Sequence, residues 1–392
     1  MRCGLNEVGP KQEGGLRFAQ KRFLGSELQM LFSILLSVLA TACAGGGSGI
    51  NPPPGAASEW FFVSSFTGQV NGFSAASGKL EPIPGSSLNF SSSTSVSFAT
   101  IEVAPTGKSV ACILVNPQAG TTALEIANIA SGGTISLTPL SATVANPIGL
   151  AISAQGAIAV SDGVSIRFFT MQNNTLVAGP AQQTSASPED LAFRPDGKVL
   201  YALNAGSTIS VFSVASDLSL QLIQNVNPPL ASGQLGGDLV RIRLSAQGNK
   251  IAASTFDGWL YAGDVSATDG TVSGITEIQV AQNANLEEVV LDPSGQSVYA
   301  SDQDNGGIYE ISTTPGSLTA LAGSPIPTLP GPMGMEVNSA GDRVYVVNGA
   351  AFPQGQIITF SRETSTGKLT ATGDSVSAAE IFSNRIVRVP AH

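Results

Sequence analysis

Residues Leu191–Val214, LAFRPDGKVLYALNAGSTISVFSV, decide the fold. Three short apolar runs, Leu191–Phe193, Val199–Leu203 and Ile209–Val214, are separated by Pro195-Asp196-Gly197 and Asn204-Ala205-Gly206. Asp-Gly between two such runs is a hairpin signal, because the turn needs a left-handed backbone that glycine adopts without a Cβ clash. The stretch therefore reads as strand, tight turn, strand, loop, strand.

The unit recurs along the chain as IEVAPTGKSVACILV (101–115), LAISAQGAIAVSDG (150–163), IRLSAQGNKIAASTFDG (242–258), VVLDPSGQSVYASDQDNGG (289–307) and MEVNSAGDRVYVVNGA (335–350). Aligned on Gly107, Gly156, Gly197, Gly248, Gly295 and Gly341, successive copies stand roughly 40–50 residues apart, the period of a β-propeller with one blade per copy. Helical repeats of similar length are excluded. Val, Ile, Thr, Phe and Tyr cluster in short runs between Gly, Pro, Asn and Asp, and no amphipathic helix is evident after residue 40.

The ends complete the count. Phe61 to Ser65, Gln69 to Ser74 and Ser77 to Leu80 resemble the tail of the last copy, Val344 to Asn348, Gln356 to Ser361 and Thr366 to Leu369. The N-terminal blade thus lacks its first strand, and Arg385 to Pro390 (RIVRVP) is a lone strand at the far end. Pairing the two gives an all-β, seven-bladed propeller of four-stranded blades with no exposed edge at the closure.

Charged residues make up only 12% of the chain and its net charge is −10, so it lacks the basic face that nonspecific nucleic-acid binding requires. Residues 1–43 read as a leader. Lys11, Arg17, Lys21 and Arg22 form a basic front, and Leu28 to Leu39 an apolar core too short for a comfortable membrane span. Two readings of its end stand. Ala40-Thr41-Ala42 fits an ordinary secretory cleavage site, leaving a soluble secreted or periplasmic protein. Cys43, followed by Ala44-Gly45-Gly46-Gly47, resembles a bacterial lipobox and implies a lipid anchor on Cys43 at the outer membrane, although Ala40 stands where that motif usually has Leu. The Gly-rich run after a lone Cys favours the second. Residues 44–58, with Pro52-Pro53-Pro54, read as a tether, and residues 59–392 as a single propeller domain, expected to be monomeric. The runs Ser86 to Ser97 and Asn225 to Gly237 are expected to be loops over a face of the disc.

Asp196-Gly197-Lys198-x-x-Tyr201, Val344-Tyr345-Val346-Val347-Asn348 and Ser365-Thr366-Gly367-Lys368-Leu369 resemble the repeats of the seven-bladed lactonase-like propellers, a group that includes 6-phosphogluconolactonase and the YVTN-repeat surface proteins. The resemblance covers residues 59 to 390. It implies a lactonase site with an Arg-His pair just after a Gly-Pro at the start of an innermost strand. Here Gly331-Pro332 is followed by Met333-Gly334, and the only histidine is His392, at the last position. The pair that would polarise a lactone carbonyl and activate water is missing.

Other polar groups fall at or near the starts of innermost strands and are expected at the channel mouth: Glu102, Asp190, Arg241, Arg243, Glu288 and Glu336, with Asp238, Glu287 and Arg385 close by. Such charges most often pair with one another. If hydrolysis occurs, Glu336 or Glu288 is the candidate base, with Arg241 or Arg243 holding the anion. Asp302-Gln303-Asp304-Asn305-Gly306-Gly307 hints at a calcium loop through Asp302 and Asp304, but Gly306 stands where the loop needs an oxygen ligand, so a hairpin turn is the better reading. Cys112 lies in an apolar strand as a small hydrophobe. Neither a cofactor motif nor a zinc pattern is found, and a Ser-His-Asp triad is excluded. Two classes of function remain: a binding or scaffold propeller of the cell envelope, with a small molecule or envelope protein as partner, or a sugar-lactone hydrolase with an altered site.

Overall fold

The computed structural model describes residues 59–389, apart from 76–77, 91–96, 117–120, 146, 174, 230–238, 283, 315, 350–354 and 379–382. The leader, the tether and Cys43 lie outside the described residues, as do Asp238 and His392. Every regular element among the described residues is a strand, and the strands form seven antiparallel sheets. Blades 1 to 6 follow chain order. Their inner strands are Ser97–Val103, Leu150–Ile152, Pro188–Phe193, Leu239–Leu244, Leu286–Leu291 and Pro332–Val337. Each inner strand contacts the next, and Ser383–Val389 closes the circle by lying beside both Pro332–Val337 and Ser97–Val103.

Blade 7 is the composite. Its inner strand, Ser383–Val389, pairs antiparallel with Trp60–Ser65, and Gln69–Ser74 and Glu81–Asn89 follow outward. The register runs from Trp60 opposite Val389 to Ser64 opposite Arg385. The two distant parts of the chain thus share one sheet, which removes the edge that each would otherwise present.

Every repeat glycine sits where its turn requires it. Gly107, Gly156, Gly197, Gly248, Gly295 and Gly341 have φ between 64° and 84°. Each N–H returns to the carbonyl three residues earlier, as Gly197 does to Arg194 at 2.8 Å. An alanine there would be strained whatever the space around it.

Apolar side chains lie between sheets rather than within one. Seven buried clusters correspond to the seven seams, as where Phe62 and Val389 of blade 7 meet Ile101 and Cys112 of blade 1. Each large side chain buried there contributes about 1.5–3 kcal/mol, so the ring is held by many equivalent seams.

Two details differ from expectation. Ser86 does not begin a loop. It lies in the outer strand Glu81–Asn89, buried, with its Oγ donating to the Gly133 carbonyl at 2.9 Å. An outermost strand is wetted on much of its surface and needs few apolar residues, so Ser-rich composition there does not mean loop. Blade 5 departs from the four-stranded plan. Its outer strand is broken into Thr319–Ala320 and Ile326–Pro327, both paired with Gly307–Ser312. Gly316 and Gly323, both at positive φ, and Pro325 punctuate that stretch.

Candidate functional site at the propeller axis

The inner strands carry a shared irregularity. In six blades the pairing of the inner strand with its neighbour slips by one residue near its start. Such a bulge bends the strand and re-aims the residue that follows it. The residues just after the slip are Thr100, Asp190, Arg241, Glu288, Gly334 and Arg385. Serines on second strands support these starts. Ser301 Oγ accepts from the Glu288 N–H at 3.2 Å, and Ser161 Oγ from the N–H of Gly149, in blade 2, at 2.7 Å.

These side chains knit the blades together around the axis. Asp190 of blade 3 accepts on Oδ2 from the Ile242 N–H and from Arg243 Nη1 of blade 4, both at 3.1 Å. Arg241 of blade 4 faces Glu287 at 3.5 Å and Glu288 at 3.8 Å on blade 5. Arg243 Nη2 lies 3.1 Å from Glu288 Oε1. Arg385 of blade 7 donates to Thr100 Oγ1 of blade 1, lies 3.9 Å from Glu102, and lies 3.6 Å from Glu288 Oε2. Asp190, Arg241, Glu288 and Arg385 are all buried; Glu102, Arg243, Glu287 and Glu336 are half-buried.

Burial alone would push the Asp190 carboxyl up, but Arg243, Arg241 and Arg385, with the Ile242 N–H, hold it below the usual aspartate range. Arg243 is held charged: four surrounding carboxylates, Glu288 foremost, outweigh its desolvation. Arg385 is the opposite case. Burial, then repulsion from Arg241 and Arg243, brings its guanidinium down to about 10. Burial raises Glu102 as well, against Arg243 and Arg385. Burial pushes Glu336 up to about 7, only partly opposed by Arg388, and its Oε1 accepts from the Val337 N–H at 3.0 Å.

Of the residues expected at the mouth, Glu102, Asp190, Arg241, Arg243, Glu287, Glu288 and Arg385 belong to one ion-pair network, with Glu336 in its field; Asp238 lies outside the described residues. Three further polar groups escaped the sequence reading. Thr100 takes the bond from Arg385. Glu59 accepts from Arg388 Nη1 at 3.2 Å and from the Ser339 N–H at 2.8 Å, tying the start of the propeller to blades 7 and 6.

The other candidates lie elsewhere. Asp302 is buried and caps its own turn, accepting from the N–H groups of Asn305 and Asn285 at 3.2 and 3.3 Å; Asp304 accepts from Asn285 Nδ2 at 3.4 Å. Among the described residues no three His, Cys, Asp or Glu side chains are grouped to hold a metal ion. Cys112 is wholly buried, and burial drives its thiol well above the ordinary range, so it keeps its proton.

Comparison with known proteins agrees with this architecture. The family described as Lactonase, 7-bladed beta-propeller, matches residues 161–328. Among solved structures, a candidate 6-phosphogluconolactonase of Bacteroides uniformis superposes with a TM-score of 0.69 at 18% identity, over 85% of this chain and 100% of that one. A periplasmic gluconolactonase of Pseudomonas aeruginosa gives 0.67 at 16% identity, over 86% and 100%. A candidate 6-phosphogluconolactonase of Bacteroides fragilis gives 0.66 at 19%, over 87% and 100%. No curated protein matches the sequence.

Proposed function

We propose that this seven-bladed propeller, which over residues 161–328 resembles the family described as Lactonase, 7-bladed beta-propeller, keeps that scaffold for binding and has given up the His/Arg-dependent hydrolysis. The observation that supports this reading is at Gly331-Pro332, where Met333-Gly334 replaces the Arg-His pair; Met333 is buried and apolar. Arg241, Arg243 and Arg385 each face a carboxylate within 4 Å, while Arg241 Nε and Arg385 Nη2 have no hydrogen-bond partner among the described residues. In this reading the protein is exported, anchored through a lipid on Cys43 or released after Ala42, and presents its loops to a small molecule or an envelope protein.

The test is acid release from glucono-δ-lactone and 6-phosphogluconolactone by the full chain against heat-killed protein. No rate above spontaneous hydrolysis is expected, and saturable hydrolysis lost on heating would overturn the reading. Radiolabelled palmitate entering the wild type but not Cys43→Ser tests the anchor separately.

One observation favours a second reading, a hydrolase with a different base. Glu336 at about 7 is matched to taking a proton from water near neutrality, and it lies two residues beyond Gly334. Glu336 would accept the proton of the attacking water, with Arg243 or Arg241 beside the developing oxyanion and Glu288 as the other candidate base. If lactone is hydrolysed, the double variant Glu336→Ala, Arg241→Ala should abolish the activity; an unchanged rate would remove this reading.

A further inference from the structure

Two pairs of neighbouring blades share a two-point contact at the rim. Gln182 of blade 2 accepts on Oε1 from the Leu220 N–H of blade 3 at 2.5 Å and donates through Nε2 to the Leu218 carbonyl at 2.7 Å. Gln224 of blade 3 does the same to blade 4, accepting from the Val272 N–H at 2.8 Å and donating to the Val272 carbonyl at 2.9 Å. Leu220 and Val272 each open an outer strand, paired with Val214 and Val265. Leu369, paired with Arg362, holds the same place in blade 6.

The Leu369 N–H is met from blade 5 by a different residue. The outer strand of that blade is broken, and the side chain that reaches across is Glu310, from the third strand, whose Oε1 accepts from Leu369 at 2.5 Å. Glu310 is wholly buried, and its Oε2 has no hydrogen-bond partner among the described residues. An amide donates and accepts; a carboxylate only accepts; a carboxylic acid does both. A buried carboxylate answered by one N–H is far costlier than a neutral acid in the same place.

We propose that Glu310 is held as a neutral carboxylic acid standing in for the glutamine found between blades 2 and 3 and between blades 3 and 4, so that the joint between blades 5 and 6 is a proton-dependent latch. The groups around it leave the acid form favoured. Burial raises the carboxyl above the ordinary glutamate range, against the Leu369 N–H and Lys368 of blade 6. Tyr299, opposite Glu310 on the second strand, gives its hydroxyl to the Gly367 carbonyl at 2.6 Å. Arg362 of blade 6 is engaged by Tyr299, the Gly341 carbonyl, Ser297 and Asp292. Glu363 is bound to Ser365 and Thr366, and Tyr309, next on its own strand, interacts with Asp302. From the broken outer strand Ser324 Oγ accepts from the Glu310 N–H at 2.9 Å, and the Leu321 N–H donates to the Glu310 carbonyl. A carboxyl raised on folding stabilises at acid pH, and that contribution fades as pH rises through the raised value.

The experiment compares thermal unfolding of the full chain and of Glu310→Gln from acid to mildly alkaline pH. Infrared spectroscopy of both and amide exchange at Leu369 in the wild type accompany it. The wild type should match Glu310→Gln at acid pH and fall several degrees behind as pH rises. The protonated-carboxyl band at intermediate pH should be stronger in the wild type than in the variant, which keeps the raised carboxyls of Glu336 and Glu102. Leu369 exchange, corrected for intrinsic chemistry, should quicken over the same range. A Tm gap constant with pH, or a wild type that gains on the variant as pH rises, would overturn the latch. If Glu310→Gln does not fold, Leu369 exchange in the wild type decides alone: protection independent of pH rejects the proposal.

Discussion

Arg385 Nη2 lies 3.6 Å from Glu288 Oε2, although the two residues stand on blades 7 and 5 with blade 6 between them. At the matching register position blade 6 carries Gly334, which has no side chain to intervene. The ion pair thus joins two blades that are not neighbours in the ring. Glu288 also faces Arg243 at 3.1 Å and Arg241 at 3.8 Å, so one buried carboxylate sits among three guanidinium groups. Burial, then repulsion from Arg241 and Arg243, lowers Arg385, and Glu288 and Glu102 partly oppose it.

Glu288→Gln keeps the shape and removes the charge, leaving three arginines close together. Breaking a buried pair in this way costs about 3–5 kcal/mol. Glu287, half-buried and 3.5 Å from Arg241 alone, should lose less than about 1 kcal/mol on the same change. Urea midpoints at pH 7 would compare them. Equal losses would mean that Glu288 does not hold the arginines together.

Glu336 sets a different pH dependence. Its carboxyl rises on folding from an ordinary value near 4.5 to about 7. Folding therefore favours the protonated form: the contribution is complete below the unfolded value and is lost as pH climbs through about 7. The linkage is at most about 3–4 kcal/mol. Glu336→Gln should flatten the stability profile between acid and neutral pH; a variant with the wild-type slope would place the titration elsewhere.

The fold was legible because it rests on local chemistry repeated many times. Gly197 and its equivalents announce their turns by needing positive φ, and Arg385 to Val389 could be matched to Trp60 to Ser64 because both ends were incomplete copies. Composition misread Ser86, since an outermost strand need not be apolar. The members of the axial network were legible too, as polar residues at strand starts. Their partners were not. That Glu288 reaches blades 4 and 7 depends on a one-residue slip in register and on Gly334 lacking a side chain, both three-dimensional facts. The turn-glycine alignment passed over Thr100 because a hydroxyl among acids and arginines attracts no notice until Arg385 is seen donating to it.

Asp190 should govern the acid limb of stability. Its arginines outweigh its burial and lower its folded value, so its contribution is present above the ordinary aspartate range and is lost as pH falls through the lowered value. Asp190→Asn would keep one acceptor for the Ile242 N–H but not the charge facing Arg243. A loss of about 2–4 kcal/mol at pH 7 is expected, shrinking toward zero at strongly acid pH. A loss that stays constant down the acid limb would show that the ion pair is not its source.

Three tyrosines at one repeat position offer an internal control. Tyr201 donates to the Gly270 carbonyl of the next blade at 2.8 Å, and Tyr299 to the Gly367 carbonyl at 2.6 Å. The N–H groups of those glycines return four residues, to Ser266 and Glu363. In blade 7 the corresponding turn is one residue shorter, with the Gly78 N–H returning to Ala75, and the Tyr345 hydroxyl has no partner among the described residues. Tyr345 instead contributes its ring, which meets Phe61 edge-on at a centroid distance of 4.6 Å. Removing a hydroxyl that is bonded costs about 1 kcal/mol, and removing a buried one that is not should cost nothing or stabilise slightly. Tyr201→Phe should therefore lower stability by about 1 kcal/mol and Tyr299→Phe by more, because its hydroxyl also accepts from Arg362 Nε, while Tyr345→Phe leaves it unchanged or raised. Equal losses at all three positions in denaturant titrations would mean that the hydroxyls do not clasp one blade to the next.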